Sequence, residues 1–198
     1  MISIRKNAGV AGVLTLGAVG VAAVPATAAA AGFYLGADFV QLSTELDYGA
    51  TEKYSTTHAR LRAGYEIHDT IAVEMHILTA GDDTDIDFLG NTFRLDTGTI
   101  VGIYAKPKSG GRKASVYGLI GFSMWDTSYG PNGFSFLDDT DNVLTLGLGV
   151  GGDFNITRNL RFNIEGMMHI GSADYDFWIG TDTDFVSLGI AAGVNYQF

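Results

Sequence analysis

The chain has 198 residues, 27 glycines, 3 prolines, no cysteine and a formal net charge of −10. That length suits a single domain, the acidic balance excludes nucleic acid as a partner, and without cysteine no disulfide can brace the fold. Stability must come from the secondary structure itself.

The first element is not part of the fold. Arg5 and Lys6 precede an apolar run from Ala8 to Val24, then Pro25 and the small residues Ala26 to Ala31. A basic segment, an apolar core and an Ala-x-Ala site predict a secretory signal peptide over residues 1–28, which leaves residues 29–198 as one domain. Loss of Arg5 and Lys6 takes the charge from −10 to −12. No later segment reaches eighteen uninterrupted apolar residues, so a membrane crossing by helix is excluded and only a closed sheet could make one.

From Gly32 onward the period is two, which predicts strands. The first runs from Phe33 to about Leu46, with Phe33, Leu35, Ala37 and Phe39 opposing Tyr34, Gly36, Asp38 and Val40. The second, about Tyr54 to Ile67, sets Ala59, Leu61, Ala63, Tyr65 and Ile67 against His58, Arg60, Arg62, Gly64 and Glu66. The third, Thr70 to about Thr79, sets Ile71, Val73, Met75 and Ile77 against Ala72, Glu74, His76 and Leu78. The fourth, Thr92 to Ala105, and the fifth, Ser115 to about Trp125, leave either face free to point outward. The sixth opposes Leu144, Leu146, Leu148, Val150 and Phe154 to Thr145, Gly147, Gly149, Gly151 and Asp153. The seventh opposes Leu160, Phe162, Ile164, Met168 and Ile170 to Arg161, Asn163, Glu165, Met167 and His169. The eighth, Val186 to Phe198, alternates to the last residue and should pair with the first strand, closing a barrel without edges.

Polar turns at His68-Asp69 and at Thr157-Arg158-Asn159 fit hairpins. The connection Lys106 to Lys113 is longer and strongly basic, whereas the four links at the opposite rim are long and acidic. Short turns at one rim and long loops at the other are the asymmetry of an outer-membrane barrel, with the short turns periplasmic. The prediction is therefore an all-β protein: an eight-stranded antiparallel up-and-down transmembrane β-barrel of the bacterial outer membrane, in contact with outer-membrane lipid and lipopolysaccharide.

Volume sets the direction of the two faces. An eight-stranded barrel has an interior just wide enough for its side chains. Roughly forty large apolar residues would overfill it, so the Gly, Ser, Asn and charged face is expected inside. That expectation places Arg60, Arg62, Glu66, Glu74, His76, Asp153, Arg161 and Glu165 in the lumen as a network of paired charges.

The chain resembles the small eight-stranded outer-membrane barrels of the OmpA-like and opacity-porin type. The likeness is carried by the signal peptide, Gly32-Phe33-Tyr34-Leu35-Gly36-Ala37, Arg62-Ala63-Gly64-Tyr65, Val116-Tyr117-Gly118-Leu119-Ile120-Gly121 and Asn195-Tyr196-Gln197-Phe198. It implies that Phe198 is read by the outer-membrane assembly machinery. The periplasmic peptidoglycan-binding domain of some members is expected to be absent, because this sequence stops at the barrel.

Little else points to chemistry. Asp82, Asp83, Asp85 and Asp87, with acidic stretches at Asp138 to Asn142 and Thr181 to Asp184, offer alternate carboxylates for calcium, but without the Gly and Glu of an EF-hand. A solvated acidic rim explains them as well. Tyr129, Phe134, Phe136, Tyr175, Phe177 and Trp178 suit an interface belt, or recognition of an extracellular protein or glycan. A lipid A-modifying enzyme would need Ser, His and acid in reach. His58 with Ser55 and His169 with Ser172 are the available neighbours, neither with an obvious acid on its face. We therefore expect no enzyme, cofactor or designed metal site, and a monomer with a structural or surface-interaction role. A narrow ion-leak pore and a soluble periplasmic ligand-binding barrel remain as alternatives.

Overall fold

The computed structural model describes residues 32–47, 51–79, 84–88, 91–111, 113–131, 139–174 and 182–198. These form nine strands: β1 (Phe33–Asp47), β2 (Thr51–His68), β3 (Ile71–Leu78), β4 (Thr84–Phe88), β5 (Asn91–Gly110), β6 (Ala114–Pro131), β7 (Asp139–Asn155), β8 (Leu160–Asp174) and β9 (Asp182–Gln197). All pairings are antiparallel. β3 and β4 both lie along β5, through Ile71↔Pro107 to Leu78↔Ile100 and through Thr84↔Leu95 to Phe88↔Asn91. They are two segments of one wall, so the barrel has eight walls. β1 pairs with β2 on one side and with β9 on the other, from Tyr34↔Gln197 to Asp47↔Asp184. With β3 on β5, the sheet closes on itself.

Several boundaries differ from those read in the sequence, for one reason: the hairpins at the long-loop rim continue as paired strand past the apolar band. Asp85 and Asp87 belong to β4, Asp139 and Asp141 to β7, and Asp182 and Asp184 to β9, each in ladder register. Residues expected in acidic loops therefore sit on strand extensions. Asp82, Asp83, Asp138, Phe134, Phe136, Tyr175, Phe177 and Trp178 lie outside the described residues. At the other rim, the basic connection also proves mostly strand, since β5 continues through Lys106, Pro107 and Lys108 to Gly110. Proline is tolerated there because the β5–β6 ladder skips Lys106 and Pro107, so the missing N–H deprives no partner.

Across the central part of the walls, side chains alternate between lumen and outer wall. Outward, Phe39, Ile103, Phe122, Ile164, Leu188 and Ile190 are among many large apolar residues left exposed, Ile190 at 69%. β5 and β6, whose faces were open in the sequence, direct Val101, Ile103, Ile120, Phe122 and Met124 outward and Ile100, Tyr104, Lys106, Tyr117, Leu119, Ser123 and Trp125 inward. An exposed apolar band over a buried charged interior inverts the arrangement of a water-soluble barrel.

The lumen is not wholly polar, contrary to the volume expectation. Its half nearer the long hairpins is filled by Val40, Leu42, Leu78, Ile100, Trp125, Val143 and Ala191, and Tyr104, Tyr117, Leu119 and Met167 form a second apolar cluster. Inward glycines make the room. A Cβ at Gly102, Gly121 or Gly147 would collide with Tyr104, one at Gly151 with Tyr117, and one at Gly189 with Leu42. Large side chains thus fill the space that glycines leave on the same and nearby walls.

Candidate functional site in the lumen

The half of the lumen nearer the short turns holds one connected charge network. Alternation on β2 aims Arg60 and Arg62 inward from adjacent rungs, opposite Asp38 on β1. Asp38 Oδ2 accepts from Arg60 Nε at 2.9 Å and lies 2.8 Å from Arg62 Nε, while Oδ1 accepts from Arg62 Nη2 at 3.1 Å and Asn163 Nδ2 at 2.8 Å. Across the bore, Glu165 on β8 takes Arg60 Nη1 at 2.7 Å, Tyr117 Oη at 2.9 Å and Arg62 Nη1 at 3.5 Å. Arg62 also donates to Asn195 Oδ1 at 2.9 Å.

A second carboxylate centre is built on β3. Glu74 accepts from Tyr34 Oη at 2.5 Å and Lys106 Nζ at 2.9 Å, and its other oxygen lies 2.8 Å from His76 Nε2. Lys106 Nζ continues to Asp153 at 3.1 Å and stands 3.8 Å from the Tyr117 ring centroid, a cation–π contact. Every one of these charged residues is at most 4% exposed. Buried ions are tolerable only when paired and hydrogen-bonded. Here the four carboxylates of Asp38, Glu74, Asp153 and Glu165 face the three cations of Arg60, Arg62 and Lys106, with His76 on Glu74.

Of the residues read from sequence, Arg60, Arg62, Glu74, His76, Asp153 and Glu165 sit inside this network. Glu66 and Arg161 form a separate, partly exposed group at the short-turn mouth, where Glu66 Oε1 takes Lys108 Nζ at 2.7 Å and Arg161 Nη1 at 2.9 Å. Sequence reasoning missed Asp38, Lys106 and the tyrosines. Asp38 was recoverable, since it shares strand parity with Tyr34 and Val40. Lys106 was hidden by its basic neighbours and Pro107, which read as a loop.

Toward the long hairpins the polar contacts become neutral. Trp125 Nε1 donates to Ser123 Oγ at 3.0 Å, and Ser123 meets Thr145 at 2.6 Å and His169 Nδ1 at 3.1 Å. His58 uses one ring nitrogen on Thr56 Oγ1 at 2.8 Å and the other on the Thr79 carbonyl at 2.7 Å. Ser55 is exposed on the opposite face of β2 from His58, because three residues along a strand reverse the side. Between the charged and apolar storeys remains a cavity of about 10 Å³ beside Arg60, His76, Glu165 and His169, room for about one water.

Phe198 docks beside the barrel's first strand. Its N–H donates to the Phe33 carbonyl at 3.1 Å, and its ring lies 5.7 Å from that of Phe33 and 5.1 Å from that of Tyr196.

A closed barrel with an apolar outer belt and an ion-paired interior is an integral membrane barrel. The family profile of the outer membrane protein beta-barrel domain matches residues 12–198, and the chain belongs to that family. Its place is the bacterial outer membrane. No curated protein matches it. Among solved structures it is similar to Neisserial surface protein A, with a TM-score of 0.63 at 18% identity, covering 84% of this chain and 97% of that one. It is also similar to OprG of Pseudomonas aeruginosa, with a TM-score of 0.56 at 16% identity, covering 85% of this chain and 96% of that one. Outer membrane protein W of Escherichia coli gives 0.51 at 16%, covering 82% and 98%. At such identities the shared property is the fold.

Proposed function

We propose that the protein is a sealed, non-enzymatic wall element of the outer membrane, exported by a signal over residues 1–28, whose work is done by the long acidic hairpins it presents outside the cell. The observation that supports this is the double closure of the lumen. Among the described residues a charge network fills one half and an apolar plug headed by Trp125 fills the other, with a cavity of about 10 Å³ between them. A conducting pore needs a continuous water path, and eight walls leave no spare width for one.

In this reading the lumen charges fix the packing of the walls, Phe198 serves recognition by the assembly machinery, and the acidic strand extensions meet an extracellular protein or glycan. The test is conductance of the refolded protein in planar bilayers. A flat baseline across the voltage range is expected, and it should persist after Trp125→Ala because the charge network still closes the other half of the lumen. Voltage-stable steps from the unaltered protein would overturn the proposal in favour of a pore. Lipid A analysed by mass spectrometry from cells with and without the protein should be identical, and a changed acyl pattern would replace the structural role with an enzymatic one.

A further inference from the structure

The cavity between the two storeys of the lumen, about 10 Å³, is bordered by buried polar side chains from three walls: Arg60 on β2, His76 on β3, and Glu165 and His169 on β8. Leu42, Leu78 and Ala191 are among the apolar residues that complete its lining. Its volume suits one water molecule and nothing larger.

The hydrogen bonds around the cavity decide what each of these groups still has to give or take. Arg60 gives Nε to Asp38 and Nη1 to Glu165, while its buried Nη2 has no acceptor among the described residues. A buried donor without an acceptor is costly and calls for a partner. His76 turns Nε2 to the Glu74 carboxylate at 2.8 Å, and that carboxylate already accepts from Tyr34 and Lys106. An ionised carboxylate only accepts, so Nε2 carries the ring hydrogen and Nδ1 is an acceptor.

His169 is set the other way round. The Thr145 hydroxyl donates to the Ser123 carbonyl at 3.2 Å, so in the 2.6 Å contact between the two hydroxyls Ser123 is the donor. Its oxygen is left to accept, from Trp125 Nε1 at 3.0 Å and from His169 at 3.1 Å. The ring hydrogen of His169 is therefore on Nδ1, and Nε2 is the acceptor. Neither ring is needed as a cation. The charge network is one cation short, and Lys108 and Arg161 make up that one at the mouth by sharing Glu66.

One N–H donor and two ring-nitrogen acceptors thus border a space for one molecule that can accept once and donate twice. Water does both. A halide has no hydrogen to give the imidazoles, and a metal cation would face the Arg60 guanidinium. We propose that the cavity holds one structural water, which accepts from Arg60 Nη2 and donates to His76 Nδ1 and His169 Nε2. It ties the charge network to the neutral storey under Trp125, at close to the strength of a direct hydrogen bond.

The test is nuclear magnetic resonance of the folded protein in lipid nanodiscs at neutral pH, with nitrogen-15 in its histidines. Correlation of the ring nitrogens with the carbon-bound ring protons reads the tautomers, and spectra of His76→Gln and His169→Gln identify the two rings. His76 should be the Nε2–H form and His169 the Nδ1–H form, and the Hε1 protons of both should show cross-relaxation with water. Arg60→Lys keeps a cation between Asp38 and Glu165 but removes Nη2, and it should abolish that cross-relaxation while the gel shift between unboiled and boiled samples persists. If Arg60→Lys fails to fold, Ala191→Val fills the cavity from β9 and should abolish it as well. The same tautomer at both rings, or a doubly protonated ring at either, would overturn the proposal, because the cavity would then have the wrong donors for one water. Absence of the water signal in the unaltered protein, or its full persistence in a folded variant, would overturn it too.

Discussion

The carboxylate of Asp38 holds Arg62 by two atoms, with Oδ2 2.8 Å from Nε and Oδ1 3.1 Å from Nη2. The same carboxylate also engages Arg60, so two adjacent rungs of β2 are tied to β1 by charge as well as by the backbone ladder.

The first prediction concerns this pair. Arg62→Ala leaves the single cation of Arg60 against the two buried carboxylates of Asp38 and Glu165 and should cost about 3–5 kcal/mol, the penalty of breaking a buried pair. Combining Asp38→Asn with Arg62→Met leaves Arg60 matched to Glu165 and removes the uncompensated charge. The double variant should therefore be less destabilised than the sum of its single changes by at least about 1 kcal/mol. Urea unfolding in lipid bilayers checks this, and strict additivity would show that the lumen is hydrated enough to screen its charges.

The plug gives a second prediction. Trp125 is 1% exposed and packs with Leu42, Ile100 and Val143, its indole N–H satisfied by Ser123. Trp125→Ala should cost about 3–5 kcal/mol. Because Ser123, Thr145 and His169 border the space vacated, water should enter it. In a Trp178→Phe background, Trp125 emission should be blue-shifted and resistant to soluble quenchers. Quenching comparable with that of a free indole would mean that the plug is open.

How legible this was depends on the physics of each feature. Period two in β2, β3, β7, β8 and β9 is a local property, so the walls and their two faces could be read directly. Closure of β9 on β1 followed from the need to leave no edge. Faces of β5 and β6 were not readable because Ile100, Leu119 and Trp125 point inward and break the contrast between apolar and polar sides. Their accommodation depends on glycines such as Gly121 and Gly147 from other rungs and walls, which no local pattern reports. Lys106 was misplaced for a similar reason, since its partners Glu74 and Asp153 lie far along the chain.

The glycines supply a third prediction, a contrast between neighbours on one strand. A Cβ at Gly121 would fall within contact distance of the Ile103 carbonyl and the Tyr104 backbone, which cannot rotate away. Gly121→Ala should destabilise the barrel by about 1–3 kcal/mol, the usual cost of overpacking. Gly118→Ala, three residues earlier and facing outward, should be neutral or stabilising by up to about 1 kcal/mol. Equilibrium unfolding of the two variants decides it, and equal effects would mean that β6 does not alternate as described.

The last prediction tests the depth of the wall in the membrane. Leu188 is 58% exposed on the lipid face of β9, about midway between its ends, and Ile67 is 61% exposed on β2 beside the His68 turn. An arginine at the bilayer midplane costs about 2–4 kcal/mol in a barrel, falling to about 0–1 near the interface. Leu188→Arg should therefore unfold at markedly lower denaturant than Ile67→Arg, although both substitutions remove an aliphatic residue of similar exposure. The difference arises from depth alone, because in water the two changes would be nearly equivalent surface substitutions. Unfolding both variants in phospholipid vesicles and again in a short-chain detergent separates the terms. The gap should be large in vesicles and shrink in detergent, whose looser shell lets the guanidinium reach water. A gap of the same size in both media, or none in vesicles, would contradict the placement of β9 across the hydrocarbon layer.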